Sequence, residues 1–131
     1  MYLYIYDSFL NNKKYFNTLN KLENRLADLE IKGKICRLSI LKNMKEVIEE
    51  GIEQGIKTIV AVGDDQTFSK IVNIVADLDI TLGYIPISDK SKVGQILGIP
   101  PADQACEVLA QRLVKKLDLG KINKQYFIDS V

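Results

Sequence analysis

The 131-residue sequence predicts an α/β fold in which helices cover both faces of a parallel β-sheet. Short β-branched or aromatic runs alternate with segments of helical periodicity, and this order is typical of parallel sheets. In addition, residues 58–62 are apolar on both alternating faces, as expected for a central strand that is covered on both sides. The two observations together predict three layers, with the sheet in the middle.

The first half of the chain predicts two strand–helix units. Residues 2–6 and 34–38 are β-branched or aromatic runs and form the first two strands. Apolar residues recur at steps of three and four within residues 15–29 and again within residues 44–52, which predicts an amphipathic helix after each strand. Asn43 is a suitable N-cap for the second helix, and Gly55 is its expected terminator.

The second half continues the alternation. Residues 58–62 and 82–85 predict the third and fourth strands, with a helix through residues 68–75 between them. A short helical segment ends at Leu97, and a longer helix is expected at residues 102–117. We therefore assign residues 1–117 to one α/β domain.

Residues 118–131 form a different segment, a short β tail. Residues 119–122 and 126–131 predict two short strands with no helix between them, and the sequence ends within the second. Two interpretations are open. The tail is the start of a second domain that continues past Val131, or it is an edge that pairs with a second copy in a homodimer.

Composition excludes several classes of function. The sequence has no histidine, which excludes Ser-His-Asp and Cys-His catalysis and every histidine-containing metal site. A net charge of +1, with basic residues spread along the chain, predicts no nucleic-acid partner. Cys36 and Cys106 stand alone in apolar stretches, so we expect buried, reduced thiols in a cytoplasmic protein. No run approaches 18 apolar residues, and the first residues lack a basic segment followed by an apolar one, so we expect neither a membrane span nor a signal peptide.

Candidate ligand-binding residues follow the predicted strands. Ligands of open parallel sheets bind outside the carboxyl ends of the strands, and a strand–loop–helix entry directs backbone amides at an anion. The candidates are Asp7, Ser8, Gly63, Asp64, Asp65, Gln66, Thr67 and Ser88.

The segments around the third and fourth predicted strands, and the tail, resemble a known family. Ala61-Val62-Gly63-Asp64-Asp65-Gln66-Thr67 resembles the G-G-D-G-T nucleotide-binding loop of the diacylglycerol kinase catalytic domain, which sphingosine kinases and bacterial lipid kinases share. NAD kinase and 6-phosphofructokinase are distant relatives of that family. Residues 82–100 are similar to the family stretch L-G-I-I-P-L-G-T-G-N-D-F-A-R-x-L-G-I-P, and residues 117–128 to the entry into its second, β-rich domain. The resemblance covers essentially the whole chain in order.

The resemblance implies a Rossmann-like, three-layer nucleotide-binding domain of a lipid kinase. Such enzymes transfer the γ-phosphate of ATP to a lipid hydroxyl with the help of Mg²⁺. The matching residues then bind nucleotide, and Asp65 is the candidate that positions magnesium. Lipid binding and part of catalysis are implied for the second domain, so no catalytic residue is assigned within this chain.

The sequence also departs from the family pattern in its loops. Asp64 and Gln66 replace two glycines of G-G-D-G-T, and residues 88–92 replace G-T-G-N-D. Glycines allow positive φ and let backbone amides approach a phosphate closely, which side chains hinder. Four carboxylates, those of Asp7, Asp64, Asp65 and Asp89, would also meet at one rim and repel a bare triphosphate. We therefore expect weak ATP binding and little or no kinase activity from these 131 residues.

Several alternatives remain open at this point. Asp64 or Asp65 caps the helix that follows, or one of them contacts magnesium-nucleotide. The hydroxyl of Thr67 is a ligand, or it merely belongs to the first helical turn. The chain as a whole is the nucleotide-binding part of a lipid kinase, a non-catalytic binding or dimerisation module that has lost its phosphate loops, or a receiver-like signalling domain in which Asp64 or Asp65 accepts phosphate.

Overall fold

The computed structural model describes residues 2–106, which form a four-stranded parallel sheet with helices on both faces. The strand order is β2-β1-β3-β4, so β1 and β3 are central. The predicted parallel α/β fold is confirmed. The strands are β1 (Tyr2–Tyr6), β2 (Lys34–Arg37), β3 (Thr58–Gly63) and β4 (Thr81–Pro86), and the helices are α1 (Phe16–Asp28), α2 (Met44–Glu53), α3 (Asp65–Val75) and α4 (Lys92–Leu97).

Each face of the sheet has its own apolar core. One core packs α1 against the sheet through tyrosines of β1, because alternate residues of a strand share a face. The other core packs α2 and α3 against the opposite face. Representative buried residues are Tyr4, Tyr6, Leu22 and Cys106 in the first core, and Leu3, Ile5, Ile48, Phe68 and Ile71 in the second.

Register and caps fix how the strands lead into the helices. Tyr4 pairs with Val60 and Val62 pairs with Ile85, so β1, β3 and β4 end at nearly the same level. The predicted N-cap of α2 is confirmed, since Oδ1 of Asn43 accepts the N–H of Glu46 at 2.9 Å. Gly55 follows α2 with φ of +90°, a conformation that glycine adopts without steric cost.

Both cysteines are buried and free, as the sequence predicts. Burial raises the pKa of the Cys106 thiol to about 11, because the thiolate would lose its hydration in the apolar core. The same cause raises the pKa of Tyr4 and Tyr6 above the ordinary phenol value. These groups are therefore neutral at physiological pH and serve as core side chains.

Three predictions concern residues outside the described part of the chain. They are the continuation of the helix at 102–117, the β tail at 118–131 and a homodimer through that tail. Within the described part, Ala102–Gln104 begins this segment as a 3₁₀ turn. Residues 2–106 contain no helix that is long and apolar enough to cross a lipid bilayer.

Candidate functional site

The loops after β1, β3 and β4 meet at the carboxyl edge of the sheet. The chain adds β2 on one side of β1 and then β3 on the other, so α1 and α3 leave the two central strands on opposite faces. The backbone N–H of Asp7 donates to the carbonyl of Val62 at 3.2 Å and holds the two loops together. A crevice at such a point is the usual ligand position in open α/β sheets.

Asp64 is the N-cap of α3, which decides one of the alternatives left open by the sequence. Its Oδ1 accepts the N–H of Thr67 at 3.0 Å, and the Thr67 hydroxyl accepts the N–H of Asp64 at 3.2 Å. This reciprocal pair is a capping box. The Asp64 carboxylate thus takes a backbone donor that an anion at this helix N-terminus would otherwise use.

Thr67 connects the capping box to β1. Its side chain is fully buried, and Oγ1 lies 2.6 Å from Oδ2 of Asp7. The other carboxylate oxygen of Asp7 accepts the N–H of Ser8 at 2.7 Å. Gly63 is required beneath this contact, because a Cβ at that position would lie 2.4 Å from the Thr67 hydroxyl. The contacts of Thr67 are therefore those of a residue in the first turn of the helix, the second of the two alternatives for its hydroxyl.

Asp65 does not cap its own helix; its carboxylate binds the N-terminus of α4 instead. Its Oδ1 accepts the hydroxyls of Tyr84, at 3.0 Å, and of Ser91. Its Oδ2 accepts the backbone N–H groups of Lys92 at 3.0 Å and Val93 at 3.4 Å, which open α4. Ser91 is the N-cap residue of α4 and accepts the N–H of Gly94 at 2.9 Å.

This arrangement bears on magnesium. A carboxylate has about four lone-pair positions, and the four donors around Asp65 fill them. Among residues 2–106, no group of three or more Asp, Glu, Cys or His side chains is placed to hold a metal ion. Asp65 in this arrangement therefore does not fit the part of a direct magnesium ligand.

Two clefts open beside the Gly63–Asp64 segment. The larger cleft has a volume of about 760 Å³ and lies between the start of α1 and the loops after β3 and β4. The smaller cleft, of about 320 Å³, lies between the start of α3 and the loop that leads to α4. The larger cleft is lined by Phe9, Tyr15, Thr18, Lys21, Gly63, Asp64, Ile87, Ser88, Asp89 and residues 101–104, and the smaller by Gly63–Gln66, Ser88, Lys90 and Ser91.

The structure brings most of the predicted site residues together. Gly63, Asp64 and Ser88 line both clefts, and Asp65 and Gln66 line the smaller one. The remaining three lie below or beside the clefts. Asp7 and Thr67 form the hydrogen bond beneath Gly63, and Ser8 is exposed at the start of a 3₁₀ turn, Ser8–Asn11.

Sequence reasoning missed the parts that Tyr84 and Ser91 play. From the sequence, Tyr84 is predicted only to be a strand residue. The available signal was that it is the one tyrosine in β4 and shares a face with Leu82. Its ring stacks on Phe68 with centroids 4.8 Å apart, and burial raises its pKa, so the hydroxyl stays a donor to Asp65. No local signal marked Ser91 as a partner of a residue 26 positions earlier.

Comparison with known proteins places this fold in a family. The diacylglycerol kinase catalytic domain profile matches residues 2–122. A diacylglycerol kinase of Bacillus subtilis strain 168 is 37% identical over 75 residues, which are 54% of this chain and 25% of that protein. A diacylglycerol kinase of Staphylococcus saprophyticus is 30% identical over 81 residues, covering 60% of this chain and 27% of that protein.

Solved structures agree on the fold. A crystal structure of a protein assigned as a diacylglycerol kinase, from Bacillus anthracis, superposes with a TM-score of 0.70 at 20% identity. The superposition covers 85% of this chain and 39% of the other. This chain spans about a quarter of the length of the curated relatives named above. The family match argues against the receiver-like signalling domain as an interpretation of this chain. The chain belongs to the diacylglycerol kinase catalytic domain family.

Proposed function

We propose that this chain is the nucleotide-binding part of a diacylglycerol kinase-like lipid kinase. In this proposal it presents magnesium-ATP for phosphoryl transfer to a lipid hydroxyl. The observation that carries the proposal is the pair of clefts at the carboxyl ends of β1, β3 and β4, on either side of Gly63 and Asp64. Their position is the expected one for a nucleotide in an open parallel sheet.

In this proposal the residues divide into a lining and a frame. Gly63, Asp64, Gln66 and Ser88 line the clefts and contact the nucleotide, with Lys90 beside the phosphates. Asp7, Ser8 and Thr67 form the frame together with Asp65, which also lines the smaller cleft, because their hydrogen bonds hold the loops in place. Magnesium enters bound to phosphate oxygens, which together with water satisfy its preference for oxygen ligands.

We propose that binding is weak. Asp64 occupies the helix N-terminus with its own carboxylate. Asp89 and Asp103 add two further negative charges at the larger cleft, which Lys21 offsets only in part. A phosphate group must displace or approach these carboxylates at a Coulombic cost. Magnesium reduces this cost by neutralising part of the phosphate charge.

Phosphoryl transfer is proposed for a protein of the relatives' length. Those relatives are about four times as long as the part that matches this chain. We therefore expect no lipid-dependent ADP production from the 131 residues alone. ADP released by the purified 131-residue chain on addition of diacylglycerol would contradict this part of the proposal.

Calorimetric titration with magnesium-ATP tests nucleotide binding directly. We expect saturable binding in about the millimolar range, equivalent to roughly 4 kcal/mol. Lys90→Glu should weaken it by about fivefold or more, because it adds a negative charge beside the phosphates. Lys57→Glu is the matched control, since Lys57 is exposed just before β3 at the opposite edge of the sheet. Equal weakening by both variants would contradict the proposed position.

A second candidate is a non-catalytic binding or dimerisation module. The capping box favours it, because the Asp64 carboxylate fills the place of an anion from within the chain. This candidate predicts no saturable heat with magnesium-ATP from folded protein. It also predicts a dimer through residues 118–131. Sedimentation equilibrium tests this by comparing the mass of the full chain with that of a chain ending at residue 117, which should be monomeric.

A further inference from the structure

The turn between β2 and α2 exposes two large aliphatic side chains completely. Ile40 is 102% exposed and Leu41 is 91% exposed, whereas the exposed fraction of Phe16, the next large hydrophobic residue among residues 2–106, is 65%. Neither side chain contributes to a core. We call the turn Ser39–Lys42, with these two residues at its apex, the Ile40–Leu41 tip.

The tip has a well-defined backbone. Ser39 and Lys42 exchange backbone hydrogen bonds of 3.1 and 3.2 Å, and the hydroxyl of Ser39 accepts the N–H of Leu41 at 3.2 Å. Leu38, which is buried, anchors its base by donating to the carbonyl of Tyr6 at 2.9 Å. Polar residues at positions 40 and 41 would satisfy the same backbone bonds, so the fold does not explain the two aliphatic side chains.

The charges beside the tip are mainly positive. Lys42 and Lys45 are exposed at its base, and Glu46 is the acidic residue in the first turn of α2. Arg37 precedes the tip and pairs with Glu23 at 3.9 Å. An aliphatic apex with lysines at its base matches the two layers of an anionic membrane surface, since acyl chains take apolar groups and headgroups attract lysine.

The tip also lies at the same edge of the sheet as the clefts. It follows the carboxyl end of β2, and Asn11 Nδ2 donates to the carbonyl of Leu38 at 3.1 Å. Asn11 ends the 3₁₀ turn that carries Phe9, a residue of the larger cleft. A chain docked through the tip would therefore hold its carboxyl edge near the bilayer.

The area of the tip decides between classes of partner. A specific protein interface buries about 800 Å² on each partner, far more than two side chains at one turn provide. Insertion into a bilayer requires no complementary partner surface, and each buried aliphatic side chain adds to the affinity. We propose that the Ile40–Leu41 tip inserts into anionic lipid bilayers and docks the chain on a membrane surface. This inference goes beyond the proposed nucleotide function and does not depend on it.

Vesicle binding without nucleotide tests the inference. The full 131-residue chain is sedimented with phosphatidylcholine vesicles that contain or lack phosphatidylglycerol. Ile40→Ser/Leu41→Ser should weaken binding to anionic vesicles by about tenfold or more, because two aliphatic side chains no longer insert. Leu78→Ser/Ile96→Ser is the matched control, since it removes two other exposed aliphatic side chains, and it should change binding by less than about twofold. Unchanged binding of the tip variant would overturn the inference.

A fluorescence reporter gives a second readout. The chain has no tryptophan, so Leu41→Trp introduces a single indole at the tip. Its emission should shift to shorter wavelength with anionic vesicles, whereas Leu78→Trp should not respond. Lys42→Gln/Lys45→Gln should reduce binding by about tenfold and remove most of its salt dependence. An unshifted Leu41→Trp emission would show that the tip does not enter the bilayer. A dimer that forms without vesicles and that Ile40→Ser/Leu41→Ser abolishes would show that the tip binds a second copy of the chain instead.

Discussion

Oγ1 of Thr67 lies 2.6 Å from Oδ2 of Asp7, although the two residues are 60 positions apart in the sequence. The contact joins the first turn of α3 to the end of β1, directly beneath Gly63. Through this bond the two loops that flank the clefts share one hydrogen-bond network. The geometry of the site therefore depends on a buried threonine that does not line either cleft.

Replacing the threonine tests this network. Thr67→Val keeps the shape of the side chain but removes the hydroxyl, which leaves Asp7 and the N–H of Asp64 without that partner. We expect the free energy of unfolding to fall by about 1–3 kcal/mol, measured by urea denaturation. Thr81→Val, at an exposed threonine of β4, is the control and should stay within about 0.5 kcal/mol of the wild type. Equal effects of both substitutions would contradict the network.

The contact between Asp65 and the start of α4 can be tested by a double-mutant cycle. Asp65→Asn weakens the bonds to the N–H groups of Lys92 and Val93, and Ser91→Ala removes a hydroxyl that bonds to Asp65 and caps α4. Because the two residues share a network, we expect a coupling free energy of about 0.5–3 kcal/mol in urea denaturation. Additive effects would show that Asp65 does not hold α4. Asp79→Asn, an exposed residue before β4, controls for the loss of charge.

Restoring the family's glycines should strengthen nucleotide binding. Asp64→Gly/Gln66→Gly removes the carboxylate at the start of α3 and frees the backbone to approach phosphate. Replacing the N-cap Asp64 by glycine costs a few tenths of a kcal/mol, and glycine at position 66 in the first turn of α3 costs up to about 1 kcal/mol more, so the variant should remain folded. We expect magnesium-ATP affinity to rise about tenfold or more in calorimetry. Asp79→Gly removes the same charge at the opposite edge and should leave the affinity unchanged. A variant with wild-type affinity would contradict our explanation of weak binding.

Alkaline pH should destabilise the fold. Burial raises the pKa of Cys106 from about 9 to about 11 and raises the pKa of Tyr4, Tyr6 and Tyr84 above the ordinary phenol value. The neutral thiol contributes its full stability below pH 9, and the contribution is lost as the pH rises through 11, because only the unfolded chain ionises easily. The urea midpoint should therefore fall over this interval, and Cys106→Ala should reduce the loss. A urea midpoint that stays constant between pH 9 and pH 11 would contradict the burial of the Cys106 thiol and of the tyrosine hydroxyls.

Local patterns were sufficient for most of the fold. Three predictions depend only on neighbouring residues: the helix periodicity, the Asn43 cap and a third strand that is apolar on both faces. The structure confirms all three. The sequence also limited the cap of α3 to Asp64 or Asp65, since both precede the same apolar run. Choosing between them required the position of α4, because its N-terminus gives Asp65 a different set of donors.

Contacts between distant segments could not be predicted. The Asp7–Thr67 and Asp65–Ser91 bonds join separate strand–helix units, and their existence depends on strand order rather than on local periodicity. The wall of the larger cleft formed by residues 101–104 was missed for the same reason, since those residues meet α1 only in the folded chain. Resemblance to a family identified the loops but not their hydrogen bonds.

Amide NMR during a magnesium-ATP titration tests the central claim most directly, because it detects weak binding and locates it. We predict saturable shifts for the amides of Gly63, Gln66, Ser88 and Lys90, which line the clefts. The amides of Gly33 and Leu78, at the opposite edge of the sheet, should not move. Shifts confined to that opposite edge, or no shifts at all with folded protein, would contradict the assignment of the carboxyl edge as the nucleotide site.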